Sequence, residues 1–337
     1  MMRYRLFGRT GLRVSELVLG TMVINDVDEY RRILHVFADA GGNVIDTASA
    51  YGASEEMLGT VLDHRDRFVI ATKYTLTRDA SDPNASGNHR KNLIRSLEQS
   101  LRRLRTDYID VYWVHVWDRH TPIEETLCAL DDVVRAGKVL HIGISDAPAW
   151  VVAQANTLAQ CRDRTPFSGL QVPYNLLQRD IERELLPMAE AFGMSVTTWA
   201  PLARGILSGA AGRRADPAQH TERERAAAAA VDTVATELGV PPAHVAIAWT
   251  RHRSPTVLPI IGVSTAAQLT ENLGAASLTL PEDAVSALEA AVPFELGFPG
   301  DFIAECDRSP HVYGDTVGRV DAHRRTRPST ASTDNRR

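Results

Sequence analysis

Eight short runs rich in apolar and β-branched residues recur along the chain, at 15–22, 43–48, 67–73, 108–115, 139–145, 168–173, 195–201 and 256–262. Each is followed by a stretch with helical periodicity, at 27–40, 54–63, 89–105, 122–137, 149–161, 182–192, 222–239 and 265–276. Strands of that length with helices between them predict parallel β/α units, and eight of them predict a closed (β/α)8 barrel. A doubly wound sheet also alternates, but it usually stops at about six strands, and no GxGxxG follows the first run. Upstream, RYRLFG and LRVSEL read as a hairpin turning at Thr10-Gly11. Asp26 with Glu29 reads as a capping pair, Thr121-Pro122 as a helix start, and Gly137 and Gly193 as helix ends. Two further helices, 241–252 and 281–291, fall outside the repeat. The predicted organisation is therefore one barrel over 1–320. Residues 321–337, rich in Arg, Ser and Thr without apolar periodicity, read as a disordered basic tail.

Apolar residues make up 44 % of the chain and charged residues 23 %, the balance of a protein with a sizeable core. The net charge of −5 argues against nucleic acid or an anionic membrane as partner. There is no secretory h-region and no apolar run of membrane-spanning length. Cys128, Cys161 and Cys306 are far apart and form no CxxC pair, which fits a reducing compartment. The expected setting is the cytoplasm.

In such a barrel the reactive groups gather where the strands end at their C-termini. The second run ends at Asp46-Thr47, with Tyr51 in the loop beyond; the third ends at Lys73 and the fourth at His115. Consecutive strands lie about 5 Å apart, so these side chains should stand together. The set suits reduction of a carbonyl, whose oxygen needs a proton as hydride arrives. A free phenol, with a pKa of about 10, gives up its proton reluctantly. An ammonium beside it lowers that value, and Asp46 would hold Lys73 in place. His115 could orient the carbonyl oxygen or share in proton transfer.

NVIDTASAYGASEEMLG resembles the aldo-keto reductase signature, with that family's catalytic Asp and Tyr at Asp46 and Tyr51. ATKY and DYIDVYWVH match the family's Lys and His at Lys73 and His115, and GKVLHIGIS, WAPLARGILSG and PIIGVSTAAQLTENLGA continue the likeness. Within the family, the chain resembles the branch of bacterial aryl-alcohol-dehydrogenase-like and potassium-channel β-subunit-like proteins. The resemblance implies an NADP(H)-dependent oxidoreductase interconverting an aldehyde or ketone and an alcohol. It implies a nicotinamide end bounded by Gly20, Thr21, Asp46, Ser145, Asp146, Gln171 and Tyr174, with Tyr174 as the stacking ring. Trp199, Pro201, Leu202 and Gly205 match the pyrophosphate-side loop. Gly262, Ser264, Gln268, Glu271 and Asn272 match the adenosine side, where a helix N-terminus near Ser264 favours an anionic phosphate.

Some features depart from the pattern. Asp146 stands where Asn or Arg is common. No Arg or Lys lies in 262–272, so NAD(H) stays open, and Arg204, Arg213 or Arg214 are the cations left for a 2′-phosphate. The loop after the first barrel strand is short, predicting an open substrate site lined by Met22, Tyr51, His115 and Trp117, with 297–302 as a further candidate. Other readings remain at this point. A cofactor-binding regulatory subunit would share the same motifs. A metal-dependent hydrolase could use the crowded His115, Asp118 and His120, and a Schiff-base lyase could use Lys73 as nucleophile.

Overall fold

Parity along each strand decides what faces the inside of this protein. In the computed structural model, which describes residues 2–209 and 220–320, eight parallel strands close into a barrel. They are β3 (Val18–Gly20), β4 (Val44–Asp46), β5 (Val69–Tyr74), β6 (Ile109–Val114), β7 (Val139–Ser145), β8 (Gly169–Pro173), β9 (Ser195–Trp199) and β10 (Val257–Gly262). They pair in chain order and β10 closes on β3. Between them run α1 (Val27–Asp39), α2 (Ser54–Val61), α3 (Arg90–Leu104), α4 (Ile123–Arg135), α5 (Ala149–Cys161), α6 (Leu185–Phe192), α7 (Glu222–Leu238) and α8 (Pro242–His252). After β10 come α9 (Ala266–Leu273) and α10 (Glu282–Ala291). All of this lies in one compact unit, Met1–Phe294. A second unit, Glu295–Arg337, carries the short helices α11 (Gly300–Asp307) and α12 (Pro310–Tyr313), which the periodicity did not predict. Residues 321–337, and the Arg213 and Arg214 positions, lie outside the described residues.

Alternate strand residues point to opposite faces, so each strand serves two cores. The inward set, Val18, Val44, Val69, Ala71, Val111, Trp113, Leu258 and Ile260, fills the barrel with Phe7 and Val14. The outward set, including Leu19, Ile45, Ile70, Tyr112 and Ile142, packs under the helices. Phe7 and Val14 come from the N-terminal hairpin of β1 (Tyr4–Leu6) and β2 (Arg13–Ser15), whose turn encloses Thr10-Gly11 as expected. The hairpin brings Phe7 into the barrel interior, edge-on to Trp113 at 6.1 Å.

The structure corrects two details. The run 15–22 is not one strand: Ser15 ends β2, and the buried Glu16 breaks the run by accepting from the Arg3 amide (3.0 Å) and Arg251 Nη2 (2.9 Å). Asp26 caps α1 by accepting from the Glu29 amide (2.7 Å), but Glu29 does not complete a reciprocal box. Its carboxylate goes instead to the first turn of α9.

Trp113 fits across the barrel only because Gly143 and Gly169 have no side chains. A Cβ on Gly143 would lie 2.3 Å from the Trp113 ring, and one on Gly169 2.5 Å from Phe7. Both obstacles are rings locked in a packed interior. Gly143→Ala is expected to cost about 1–3 kcal/mol through overpacking. Urea or thermal unfolding checks this, and an unchanged midpoint contradicts the packing described.

Candidate active site

Inward parity carried to the C-terminal ends of the strands brings one candidate from each strand to the same mouth. These are Gly20, Asp46, Lys73, His115 just past β6, Ser145, Gln171, Trp199 and Gly262. The register staggers them: Asp46 pairs with Ala71, Lys73 with Trp113, and Ser145 with Gln171.

Lys73 is 0 % exposed. Its Nζ donates to Asp46 Oδ2 at 2.5 Å and to the Thr47 carbonyl at 2.8 Å. Gln171 Nε2 donates to the other Asp46 oxygen at 3.0 Å and lies 3.2 Å from Thr197 Oγ1. A buried ion pair persists only when its remaining valences are satisfied, and here the Thr47 carbonyl and the Gln171 amide satisfy them. The same contacts hold the loop that bears Tyr51. The Thr47 amide donates to the Ala71 carbonyl (2.9 Å), the Ser49 amide to the Lys73 carbonyl (3.1 Å), and the Ser54 amide to the Tyr51 carbonyl (3.0 Å). Thr21 ties in from β3, with its hydroxyl 3.1 Å from the Asp46 carbonyl and 2.8 Å from Ser54 Oγ.

Tyr51 sits over this base. Lys73 Nζ is 5.1 Å from the centroid of its ring, and His115 meets the ring edge-on at 5.7 Å. The electrostatics differ from expectation in two ways. Burial raises the Tyr51 phenol above its ordinary value, outweighing the Lys73 charge that pulls it down. The lowering expected from Lys73 is real in sign but not the net result. His115 is drawn down to about 3, first by burial and then by Lys73, and its buried Nδ1 has no partner among the described residues. It is therefore a neutral imidazole near pH 7. That suits holding a carbonyl oxygen and does not suit donating a proton to one.

Backbone strain gathers at the same mouth. Seven described residues other than glycine have positive φ; two of them, Arg105 and Asp163, follow helix ends. The other five lie just beyond barrel strands: Thr75 (100°), Asp146 (45°), Ala200 (54°), Ala203 (47°) and Arg204 (59°). Such conformations cost of order 1–2 kcal/mol per residue and persist where the surroundings and function demand them. Trp199 Nε1 reaches Asp146 Oδ1 at 3.4 Å across this rim. Pro201, Leu202 and Gly205 continue the loop, Gly205 at φ 99°.

On the β10 side, Gly262 is open, and Gln268 Oε1 accepts from the Ser264 amide (3.0 Å) and hydroxyl (3.1 Å). Glu271 is exposed and Asn272 buried on α9. The α9 N-terminus, expected to favour a phosphate, already holds an anion: the Ala266 amide donates to Glu29 Oε1 at 2.6 Å. That bond, then Arg32, keeps the Glu29 carboxyl below the usual carboxylate range. Glu29 and Arg32 lie on α1, far away in sequence; the capping pattern marked Glu29 for the start of α1 and nothing marked either residue for this end of the barrel.

Tyr174 is the one cofactor candidate the structure removes. It follows the inward Pro173 and so faces outward; it is 0 % exposed, its hydroxyl 2.9 Å from Glu182 and its ring 5.2 Å from Trp249. It has no face free to stack on a ligand. Trp199, half-buried at the rim, is the less covered ring. Met22 stands 63 % exposed after β3, and Trp117 lies past His115 with its ring against Trp150. A recess of about 610 Å³ between the 75–89 and 116–125 segments adjoins this region through Thr75 and Val116, but Asp46, Tyr51, Lys73 and His115 do not line it. Asp118, counted earlier with His115 and His120, has both oxygens occupied by the Asn88 and His120 amides and the Thr121 hydroxyl. Among the described residues no group of three His, Cys, Asp or Glu is placed to hold a metal.

Comparison with known proteins agrees with this geometry. The profile of the aldo/keto reductase family matches residues 16–293. A norsolorinic acid reductase of Emericella nidulans is 39 % identical over 319 residues, covering 88 % of this chain and 82 % of the relative. A putative aryl-alcohol dehydrogenase of Saccharomyces cerevisiae is 36 % identical, covering 90 % of each chain. An NADP(+) aryl-alcohol dehydrogenase of Phanerodontia chrysosporium is 37 % identical, covering 86 % of this chain and 85 % of its own length.

Proposed function

The chain belongs to the aldo/keto reductase family, and from that membership we propose that it interconverts an aldehyde or ketone and its alcohol with NADP(H), using Tyr51 as the proton donor. The observation that carries the reading is the buried Lys73–Asp46 pair beneath the Tyr51 ring, at the open end of the barrel.

The residues at the mouth fit a nicotinamide dinucleotide. The Trp199 ring is only half-buried, Ser145 and Gln171 stand side by side one step below it in register, and Gly262 leaves the β10 end clear. NADP(H), when bound, supplies or accepts the hydride. In reduction, His115 holds the carbonyl oxygen and Tyr51 passes it the phenolic proton. The Lys73 ammonium stabilises the phenolate that remains, and Asp46 keeps that ammonium in place. In oxidation the same groups act in reverse order. The relatives' names point to an aromatic substrate, in keeping with Trp117 and Trp150 at the rim. Three free cysteines suit a reducing compartment, and we place the activity in the cytoplasm. Among the described residues no helix is long and apolar enough to cross a membrane. Turnover of an aromatic aldehyde panel with NADPH tests the proposal; NADPH binding with no turnover of any member contradicts it.

Glu29 bears on the choice between the two nicotinamide cofactors. A 2′-phosphate at the α9 N-terminus must share it with this carboxylate, while Arg32 beside it provides the cation missing from 262–272. Glu29→Gln keeps an acceptor for the Ala266 amide but removes the charge. It is expected to tighten NADPH about three- to tenfold relative to NADH at low salt, the scale of one partly screened surface charge. Fluorescence titration of both cofactors checks this, and equal changes in the two affinities contradict it.

A further inference from the structure

Three of the chain's five tryptophans, Trp117, Trp150 and Trp199, stand at this one rim. Trp150 opens α5 and is 61 % exposed, although a ring of that size is normally covered. Trp117 meets it edge-on at 5.6 Å, and the Trp117 amide donates to the Asp146 carbonyl, which fixes the pair beside the His115 strand end. Arg119 then lies with its guanidinium 5.7 Å from the centroid of the Trp117 ring. It has no carboxylate partner among the described residues. Two acidic residues of these loops are engaged elsewhere: Asp118 with the Asn88–Thr121 turn, and Asp146 with Trp199. An uncompensated cation stacked on an exposed aromatic corner is a place for a flat ring that carries negative charge.

We propose that Trp117, Trp150 and Arg119 form a distal subsite that selects aromatic carbonyl substrates bearing an anionic group, a carboxylate or an ionised phenol, on the side of the ring away from the reacting carbon. This rests on the reductase reading above. Trp117 and Trp150 hold the ring, and Arg119 pairs with the anion. The bond-making step remains that at Tyr51, so Arg119 acts on binding.

The test uses the full chain with NADPH and two matched aldehydes, 4-carboxybenzaldehyde and its neutral methyl ester. The wild-type kcat/KM is expected to favour the carboxylate about three- to tenfold, the range of a partly exposed ion pair. The difference should lie in KM and shrink as salt is raised. Arg119→Leu should bring the ratio close to one by raising KM for the carboxylate much more than for the ester, and Arg119→Lys should retain part of the preference. Trp150→Ala should raise KM for both aldehydes and leave their ratio in place. A wild-type ratio of one, or an unchanged ratio in Arg119→Leu, overturns the subsite while leaving the reductase reading intact. Absence of turnover with both aldehydes, while other members of the aromatic panel are reduced, overturns the subsite alone; absence across the whole panel overturns the reductase reading and the subsite with it.

Discussion

Tyr51→Phe is expected to lower the rate of carbonyl reduction by about a hundred- to ten-thousand-fold, the contribution of a positioned proton donor. The change removes one oxygen from a ring held by its loop and by the edge of His115. The loop bonds that place the ring are made by backbone atoms of Thr47, Ser49 and Ser54, so the substitution leaves them alone. His115 cannot replace the lost acid, because burial and Lys73 keep it neutral with a pKa of about 3. NADPH affinity should stay within about twofold, since a hydroxyl that acts only on the carbonyl oxygen contributes no cofactor contact. Single-turnover NADPH oxidation followed by stopped flow, beside a binding titration, separates the two. Loss of affinity in step with loss of rate contradicts the role given to Tyr51.

Lys73→Met carries the second large effect, on stability as well as rate. Without the ammonium, Asp46 is left as a buried carboxylate with, among the described residues, only the Gln171 amide as side-chain donor, and the Thr47 carbonyl loses its Lys73 partner. Breaking one side of a buried pair costs about 3–5 kcal/mol. Equilibrium unfolding should show a loss on that scale, and the folded fraction should have no measurable reductase activity. Adding Asp46→Asn removes the stranded charge. The double variant should regain part of the stability and none of the activity, because the phenolate of Tyr51 still has no cation beneath it. Full stability in the single variant contradicts the burial of the pair, and activity regained in the double variant contradicts the catalytic part assigned to Lys73.

Most of the barrel was readable because parallel strands with both faces covered leave continuous apolar runs, and each of the eight runs contains a strand. The split at Glu16 was missed because a buried carboxylate with two donors looks, in sequence, like any residue of a run. The four residues proposed to be catalytic were readable because period two puts Asp46, Lys73 and His115 on one face of three adjacent strands, with Tyr51 in the loop that follows the first of them. The same rule applied to β8 would have kept Tyr174 out of the site: Gln171 and Pro173 face inward, so their successor faces the helices. Glu29 was legible only as a capping residue of α1, and Arg32 and Arg119 carried no pattern at all, because the contacts that single them out are made with neighbours brought in by the fold. The net pKa of Tyr51 was also beyond the sequence, since it depends on how far burial exceeds the pull of one nearby charge.

Which group gives up the proton is read most directly from the pH dependence of wild-type single turnovers in both directions. With the phenol raised, Tyr51 stays protonated through neutral pH, so reduction should hold level from about pH 6 to 9 and fall only as the phenol ionises. Oxidation needs the phenolate and should climb steadily with pH over the same span. A reduction rate that instead drops through an inflection between about pH 6 and 7, the ordinary range of an imidazole, would show a histidine as the acid and contradict the assignment to Tyr51.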